Sequence, residues 1–155
     1  MKVSIGLRAN PHQVCYSIIK EQDDSLDVFL VDKIVVPKSL EIPEQLKFIR
    51  STILDIINEN NVSLACIRIS ESSARQINIP RTYLEGVVQE LIASSTIVKF
   101  YVGQISSISA KLEIDRAEFK PYAEGKNDFM GMDIWQELSL EERESVMAAV
   151  SALNL

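Results

Sequence analysis

The stretch Ser63-Leu64-Ala65-Cys66-Ile67-Arg68-Ile69 (S-L-A-C-I-R-I) is almost continuously apolar. A short run with apolar residues at both odd and even positions is typical of a central strand that is covered on both faces of its sheet. Segments with a helical period lie before and after it. The stretch therefore predicts a layered α/β protein with this strand near the middle of the sheet.

The two flanking segments each place apolar residues along one helix face. The first begins at Pro43, a favoured first helical residue, and ends at Asn60-Asn61, and the second begins at Pro80. Their apolar stripes are Leu46, Ile49, Ile53, Ile56 and Ile57 in the first helix, and Leu84, Val87, Val88, Leu91 and Ile92 in the second.

Three apolar, β-forming runs precede these helices: Val3–Leu7, Gln13–Lys20 and Leu26–Pro37. Short links make successive strands antiparallel neighbours. A strand at Thr96–Val102, a helix at Ser106–Ile114 and a last helix capped by Ser139 complete the order. We predict one α/β domain over residues 1–155, with a mixed five-stranded sheet of order 3-2-1-4-5, its second strand antiparallel, and helices on both faces. Residues 115–138 are expected to be an irregular excursion.

The composition excludes a disordered or fibrous chain, because 46% of the 155 residues are hydrophobic and 25% are charged. The net charge of −6 is uneven. Residues 1–112 hold 12 acidic and 12 basic side chains, whereas residues 113–155 hold 10 acidic and 4 basic ones. The acidic total counts against a nucleic-acid binder whose whole surface is basic. It does not exclude a small basic site on an acidic protein.

The sequence shows no pattern typical of secretion, membrane insertion or cofactor binding. Residues 1–13 do not resemble a signal peptide, and no apolar run is long enough to span a bilayer. Cys15 and Cys66 lie in apolar strand-like runs, so we expect buried, reduced thiols in a bacterial cytoplasmic protein without a membrane partner. Zinc spacings and glycine-rich phosphate loops are absent, so no cofactor is predicted.

Several short segments follow a family pattern. They are Ser4-Ile5-Gly6-Leu7-Arg8 with Val14–Ile19, Ala65-Cys66-Ile67-Arg68-Ile69-Ser70-Glu71, Leu84-Glu85-Gly86-Val87-Val88, Tyr101–Ser106 through Lys111, and Glu141–Ala149. Together with the element order, they resemble the RNase H-like superfamily, and most closely its RuvC-type branch. The resemblance spans most of residues 1–112 and the last helix, and it is one of pattern without a sharp motif.

The resemblance implies a two-metal nuclease, in which carboxylates from the first strand, the central strand and the last helix hold divalent cations. The sequence departs from that requirement. Residues 1–20 contain no Asp or Glu, so the first strand offers only Leu7, Arg8 or Asn10. Arg68 stands near the place of the central-strand Glu, and Glu71 lies beyond the strand end. An arginine repels a divalent cation, so we predict a degenerate member without metal site or catalytic residues, and lean against an enzyme.

Four arginines are the candidate site: Arg8, Arg68, Arg75 and Arg81. In the inferred fold they approach one edge of the sheet. One interpretation is an anion pocket, or a strip for nucleic-acid phosphates, because guanidinium groups make bidentate bonds to phosphate. The other is a set of solvated charges, with Arg8 or Arg68 paired to Glu71 or to a C-terminal glutamate.

Three functional hypotheses follow. The favoured one is a non-enzymatic binding or adaptor protein with nucleic acid or another anion as candidate ligand, and with homodimer formation through residues 115–138 as a further hypothesis. The second is a residual metal-dependent nuclease or phosphotransferase that uses Glu71 with Glu142 or Glu144. The third is a protein-interaction module, such as a nuclease inhibitor, whose acidic C-terminal part meets a basic partner.

Two other features carry weaker signals. His12, the one histidine of the chain, lies in a turn and is expected to face solvent, so no histidine-based catalytic pair is predicted. Phe129-Met130-Gly131-Met132 with Trp135 is either a partner-docking surface or a satellite cluster that folds back on the domain.

Overall fold

The computed structural model describes residues 1–73 and 75–155. Its strands are β1 (Lys2–Asn10), β2 (Gln13–Gln22), β3 (Ser25–Val35), β4 (Leu64–Arg68) and β5 (Lys99–Gly103). Its helices are α1 (Ile42–Glu59), α2 (Ile79–Ser94), α3 (Ile105–Leu112), α4 (Arg116–Ala123) and α5 (Leu140–Ala152). Two short 3-10 helices, Phe129–Gly131 and Trp135–Glu137, lie between α4 and α5.

The five strands form one mixed sheet with the order β3-β2-β1-β4-β5. β2 is antiparallel to both of its neighbours, while β1, β4 and β5 are parallel. The predicted order and strand directions are confirmed. Asn10 makes the first turn tight, because its side-chain Oδ1 accepts the backbone N–H groups of His12 at 2.8 Å and Gln13 at 3.0 Å.

The sheet separates two apolar cores. Ile5, Leu7, Ala65 and Ile67 face one core, which they share with buried residues of α1 and α2. Leu64 and Cys66 face the other core, which they share with α3 and α5. Successive side chains of a strand point to opposite faces, so β4 is apolar at consecutive positions because both faces are covered.

Helix α5 packs very closely on β1 at Gly6. A Cβ atom at this position would lie 2.0 Å from the backbone oxygen of Ser145 and 2.4 Å from the backbone nitrogen of Ala149. The Ser4 hydroxyl also donates a hydrogen bond of 2.7 Å to the carbonyl oxygen of Ala149. The absence of a side chain at Gly6 therefore sets the distance between α5 and the central strand.

The expectation that residues 115–138 are irregular is wrong for part of that segment. Helix α4 begins after Asp115, whose side-chain Oδ1 accepts the N–H of Ala117 at 3.1 Å. Pro121 lies inside α4 and conceals it from a pattern-based prediction, because proline normally ends a helix.

Phe129 and Trp135 are buried in the α5-side core, and the Trp135 indole N–H donates to the carbonyl oxygen of Tyr122 at 2.9 Å. These two rings therefore belong to a satellite cluster that folds back on the domain, and they do not form a partner-docking surface. Met130 remains 57% exposed.

Both cysteines are free and buried, as predicted, and His12 is exposed in its turn. Among the helices in the described part of the chain, none has the length and apolar character needed to cross a bilayer.

Candidate functional site

Arg8 and Arg68 lie side by side at the carboxyl ends of β1 and β4, where they are register partners. They share a face with Gly6 and Cys66, since residues two apart on a strand point the same way. That face is covered by α5. Only 8% of Arg8 and 4% of Arg68 is exposed, so the second interpretation is wrong about the solvation of these two residues, although not about their pairing.

Both guanidinium groups contact the same carboxylate oxygen of Glu144, a residue of α5 that is 5% exposed. The distance to Glu144 Oε2 is 3.0 Å from Arg8 Nε and 3.1 Å from Arg68 Nε. The paired alternative from the sequence is therefore observed, with Glu144 as the C-terminal glutamate. Two buried positive charges and one buried negative charge form the centre of the site.

A second carboxylate completes the environment of Arg68. Its Nη1 lies 3.3 Å from Glu71 Oε1 and donates to the backbone oxygen of Ile69. Glu71 Oε1 also accepts the N–H of Ile105, the first residue of α3, at 2.7 Å. Burial lowers the pKa of the Arg68 guanidinium and the Arg8 charge lowers it further, while Glu144 and Glu71 act in the opposite direction. Arginine remains protonated in proteins, so the charge is retained.

Arg8 is less well satisfied than Arg68. Its Nε and Nη1 atoms are buried and have no hydrogen-bond partner. The 3.0 Å contact between Arg8 Nε and Glu144 is therefore an ion pair without hydrogen-bond geometry. A buried N–H group without a partner costs about 1–3 kcal/mol, and more for a charged group.

The other two predicted arginines lie outside this ion cluster. Arg75 is exposed in the segment between β4 and α2. Arg81 is half-buried in the first turn of α2, where its backbone N–H donates to Asn78 Oδ1 at 3.0 Å. The Arg81 Nε atom is buried and has no hydrogen-bond partner. The structure thus brings Arg8 and Arg68 together, and the predicted role of Arg75 and Arg81 remains a prediction.

Glu85 is a site residue that the sequence reasoning missed. It is only 8% exposed, and its carboxylate accepts the backbone N–H of Ser70 at 2.9 Å and the Ser70 hydroxyl at 3.0 Å. These bonds tie α2 to the chain just beyond β4. The sequence signal for the burial of Glu85 is its position in α2, next to Leu84 and three residues before Val88.

The residues at this site do not fit the divalent metals that the family resemblance implies. Hard cations require several oxygen ligands, and two guanidinium groups stand where those ligands would be needed. Among residues 1–73 and 75–155, no group of three or more His, Cys, Asp or Glu side chains is placed to hold a metal ion. Glu144 and Glu71 are instead engaged with the arginines.

A cavity of about 610 Å³ opens next to the ion cluster. Glu71 lines it on one side and the exposed side of α4 lines it on the other, with Asp115, Arg116 and Lys120. Of the residues in the ion cluster, Glu71 alone lines the cavity, and the α4 side of the cavity carries charges of both signs.

The architecture is similar to that of solved Holliday junction resolvases. No family model and no curated protein sequence matches the chain. Thermus thermophilus RuvC in complex with a Holliday junction substrate aligns over 98% of this chain and 93% of that chain, with a TM-score of 0.76 and 9% identity. Another T. thermophilus RuvC structure has a TM-score of 0.71 and 8% identity over the same shares.

The likeness extends to a viral enzyme. The Fowlpox virus resolvase in complex with Holliday junction DNA aligns over 96% of this chain and 95% of that chain, with a TM-score of 0.53 and 11% identity. At identities this low, structural similarity shows that the folds are alike and does not show a shared activity. The chain has the RNase H-like fold in its RuvC-type form.

Proposed function

We propose that this protein is a non-enzymatic, metal-independent binding protein on a RuvC-type scaffold, a pseudo-nuclease whose ligand is nucleic acid held by its phosphates. One observation carries the proposal: Arg8 and Arg68 are the last register pair between the two central strands and share the carboxylate of Glu144. The family pattern implies carboxylates at the ends of these strands. Positive charges in their place attract phosphate directly, whereas the carboxylates attract it only through a metal.

The hydrogen-bonding state of the arginines supports an anionic ligand. Four buried side-chain polar atoms lack a hydrogen-bond partner in the described part of the chain, and three of them are guanidinium nitrogens of Arg8 and Arg81. Buried polar groups are normally paired, so buried donors without a partner point to a ligand or an ordered water. Both residues belong to the four arginines that the sequence indicates.

The charge distribution is compatible with this ligand. Residues 1–112, which contain the sheet and all four arginines, are neutral, and the excess of acid lies in residues 113–155. In open α/β sheets, ligands bind outside the carboxyl ends of the parallel strands, which is where Arg8, Arg68 and the segment with Arg75 lie.

A residual nuclease has less support, because each candidate acid is already engaged. Glu71 contacts Arg68 and the first N–H of α3, and Glu144 contacts both buried arginines. Glu142 Oε1 accepts the N–H of Ser139 at 3.0 Å in the capping box of α5. Metal binding would have to break these interactions before any chemistry began.

A protein partner or a second copy of the chain also has less support. The segment 115–138 buries Phe129 and Trp135, so Met130 and Ile134 are the exposed large apolar side chains left for docking in its described residues. The observation that favours a protein partner is the acidic excess of residues 113–155, which is complementary to a basic partner. Binding to protein without binding to nucleic acid would be the result that favours this alternative.

The experiment is a fluorescence anisotropy titration of single-stranded, duplex and four-way junction DNA at low salt. Phosphate contacts make affinity fall steeply with salt, so the titration is repeated at higher salt. Arg75→Ala and Arg81→Ala should each weaken binding about two- to tenfold, which corresponds to the loss of one hydrogen bond of ordinary net strength. Arg50→Ala, at an exposed arginine paired with Glu90, is the matched control. Equal binding by all three variants, or absent binding by the wild type, would refute the proposal.

A further inference from the structure

The ion cluster contains an unequal pair of arginines. Arg68 donates to Glu144 and to the backbone oxygen of Ile69, and it also contacts Glu71. Arg8 makes only the ion contact with Glu144, and its Nη1 and Nε atoms remain without a hydrogen bond. The N–H donors of the pair that lack an acceptor therefore belong to Arg8, although only 9% of the Arg8 side chain is exposed.

The Glu144 carboxylate interacts with the two arginines in the same way as an external anion would. A carboxylate and a phosphate both offer paired oxygens to guanidinium groups. Glu144 presents one oxygen, Oε2, to both arginines at 3.0 Å and 3.1 Å. A tetrahedral phosphate has more oxygens and more charge, and it can satisfy the two arginines together with the free Arg8 donors.

We propose that one phosphate group of the ligand exchanges with Glu144 at the Arg8–Arg68 pair, so that Glu144 is a built-in competitor that limits anion affinity. This inference rests on the proposed function and deepens it by placing a single oxyanion subsite at the register pair. The cavity lined by Glu71, Arg116 and Lys120 lies beside the site, because Glu71 both lines the cavity and contacts Arg68, and it offers the rest of a polyanionic ligand two basic side chains. The exchange involves no covalent step.

The test uses inorganic phosphate as the probe and Glu144→Gln as the variant, because glutamine keeps the shape and removes the competing charge. Phosphate stabilises many proteins nonspecifically, so the comparison is with wild type and with Glu141→Gln. Glu141 lies one turn earlier on α5 and gives the same change in net charge. We expect phosphate to raise the melting temperature of Glu144→Gln most, with an apparent affinity about ten- to a hundredfold above that of wild type.

Adding Arg8→Gln to Glu144→Gln should abolish this gain. If Glu144→Gln does not fold, wild-type protein is titrated with phosphate and followed by NMR at the arginine Nε–Hε groups. A saturable shift at Arg8 that exceeds the shift at Arg50 supports the subsite. Equal phosphate effects in all three proteins, or an unperturbed Arg8 signal, would overturn it.

The DNA titration and the phosphate test together distinguish failure of the subsite from failure of the proposed function. Loss of DNA binding in Arg75→Ala or Arg81→Ala without a phosphate effect in Glu144→Gln would overturn the subsite and leave the proposed function standing. A phosphate effect in Glu144→Gln with no DNA binding by wild type would support the subsite and refute nucleic acid as the ligand.

Discussion

Arg8 on β1 and Arg68 on β4 are register partners on adjacent parallel strands, and one oxygen of Glu144 lies within 3.1 Å of the Nε atom of each. Without the carboxylate, two like charges would face each other across neighbouring strands in a nearly dry environment. Glu144 thus makes the pair compatible with a folded core. This relationship determines the behaviour expected of several variants.

Glu144→Gln should destabilise the protein substantially in the absence of oxyanions. Removing one partner of a buried ion cluster costs about 3–5 kcal/mol. Here the Arg8 charge would be left without an ion partner, while Arg68 would keep its contact with Glu71. Glu141→Gln removes the same charge from the same helix outside the cluster and should change the free energy of unfolding by about 0.5 kcal/mol or less. Urea unfolding measures both. Equal effects of the two substitutions would show that Glu144 does not balance the arginines.

Gly6→Ala and Gly86→Ala should have opposite effects. A Cβ at Gly6 would lie 2.0 Å from the Ser145 oxygen, so α5 must move away and the free energy of unfolding should fall by about 2–4 kcal/mol. Gly86 lies within α2 and has no atom within 4 Å of an added Cβ. Alanine there should stabilise the helix by about 0.5–1 kcal/mol. Thermal unfolding distinguishes the two, and a tolerated Gly6→Ala would contradict the packing described for α5.

Alkaline pH should destabilise the fold through its buried thiols. Burial raises the pKa of Cys66 to about 11 and that of Cys15 to about 12, and for Cys15 the nearby Glu142 and Glu141 act in the same direction. A thiol in the unfolded chain has a pKa of about 8.5, so the unfolded state loses its protons first as the pH rises. The stabilisation is therefore complete below about pH 8.5 and is lost as the pH rises toward the folded values.

Urea unfolding between pH 8 and pH 10.5 measures this loss, with a limiting slope of about 1.4 kcal/mol per pH unit for each thiol. Cys66→Ser removes one titrating group and should flatten the curve. Burial also raises the pKa of Tyr101 and of Tyr16, which adds to the loss at the upper end. Stability that does not change over this range would contradict the burial of the two cysteines.

The arginine pair should prevent this site from binding a divalent cation. In a double variant with Arg8→Asp and Arg68→Glu, the new carboxylates would join Glu144 and Glu71 as oxygen ligands. Mn²⁺ should then raise the melting temperature of the variant, since a ligand at 100 times its Kd stabilises by about 2.7 kcal/mol. The wild type should not respond to Mn²⁺. A response of the wild type equal to that of the variant would show that the native site accepts the metal, and Arg68→Glu alone serves if the double variant does not fold.

Much of the fold follows from local signals. The change from a strand period to a helical period around Ser63–Ile69, and the short links before it, were sufficient to predict the strand order and directions. Helix α4 was missed because Pro121 contradicts a helix locally, whereas packing of Phe119 and Ala123 into the α5-side core holds it. Tertiary contacts here override the local preference.

The site was only partly predictable from the sequence. Topology brings the ends of β1 and β4 together, so the meeting of Arg8 and Arg68 could be expected. The choice of Glu144 over Glu141 or Glu142 depends on the rotation of α5 against Gly6, which only the packed structure fixes. Glu85 was overlooked because a glutamate beside an apolar stripe normally lies at its solvent edge, and here Ser70 supplies the hydrogen bonds that allow burial.

The most direct test of the account is the binding of fluorescent four-way junction DNA to the intact wild-type chain in EDTA and again with Mg²⁺, with the DNA strands checked for cleavage afterwards. A metal-independent phosphate-binding protein should show saturable, salt-sensitive binding in EDTA, the same affinity with Mg²⁺, and uncut strands. Binding that requires Mg²⁺, cleavage of the junction, or no binding under either condition would contradict it.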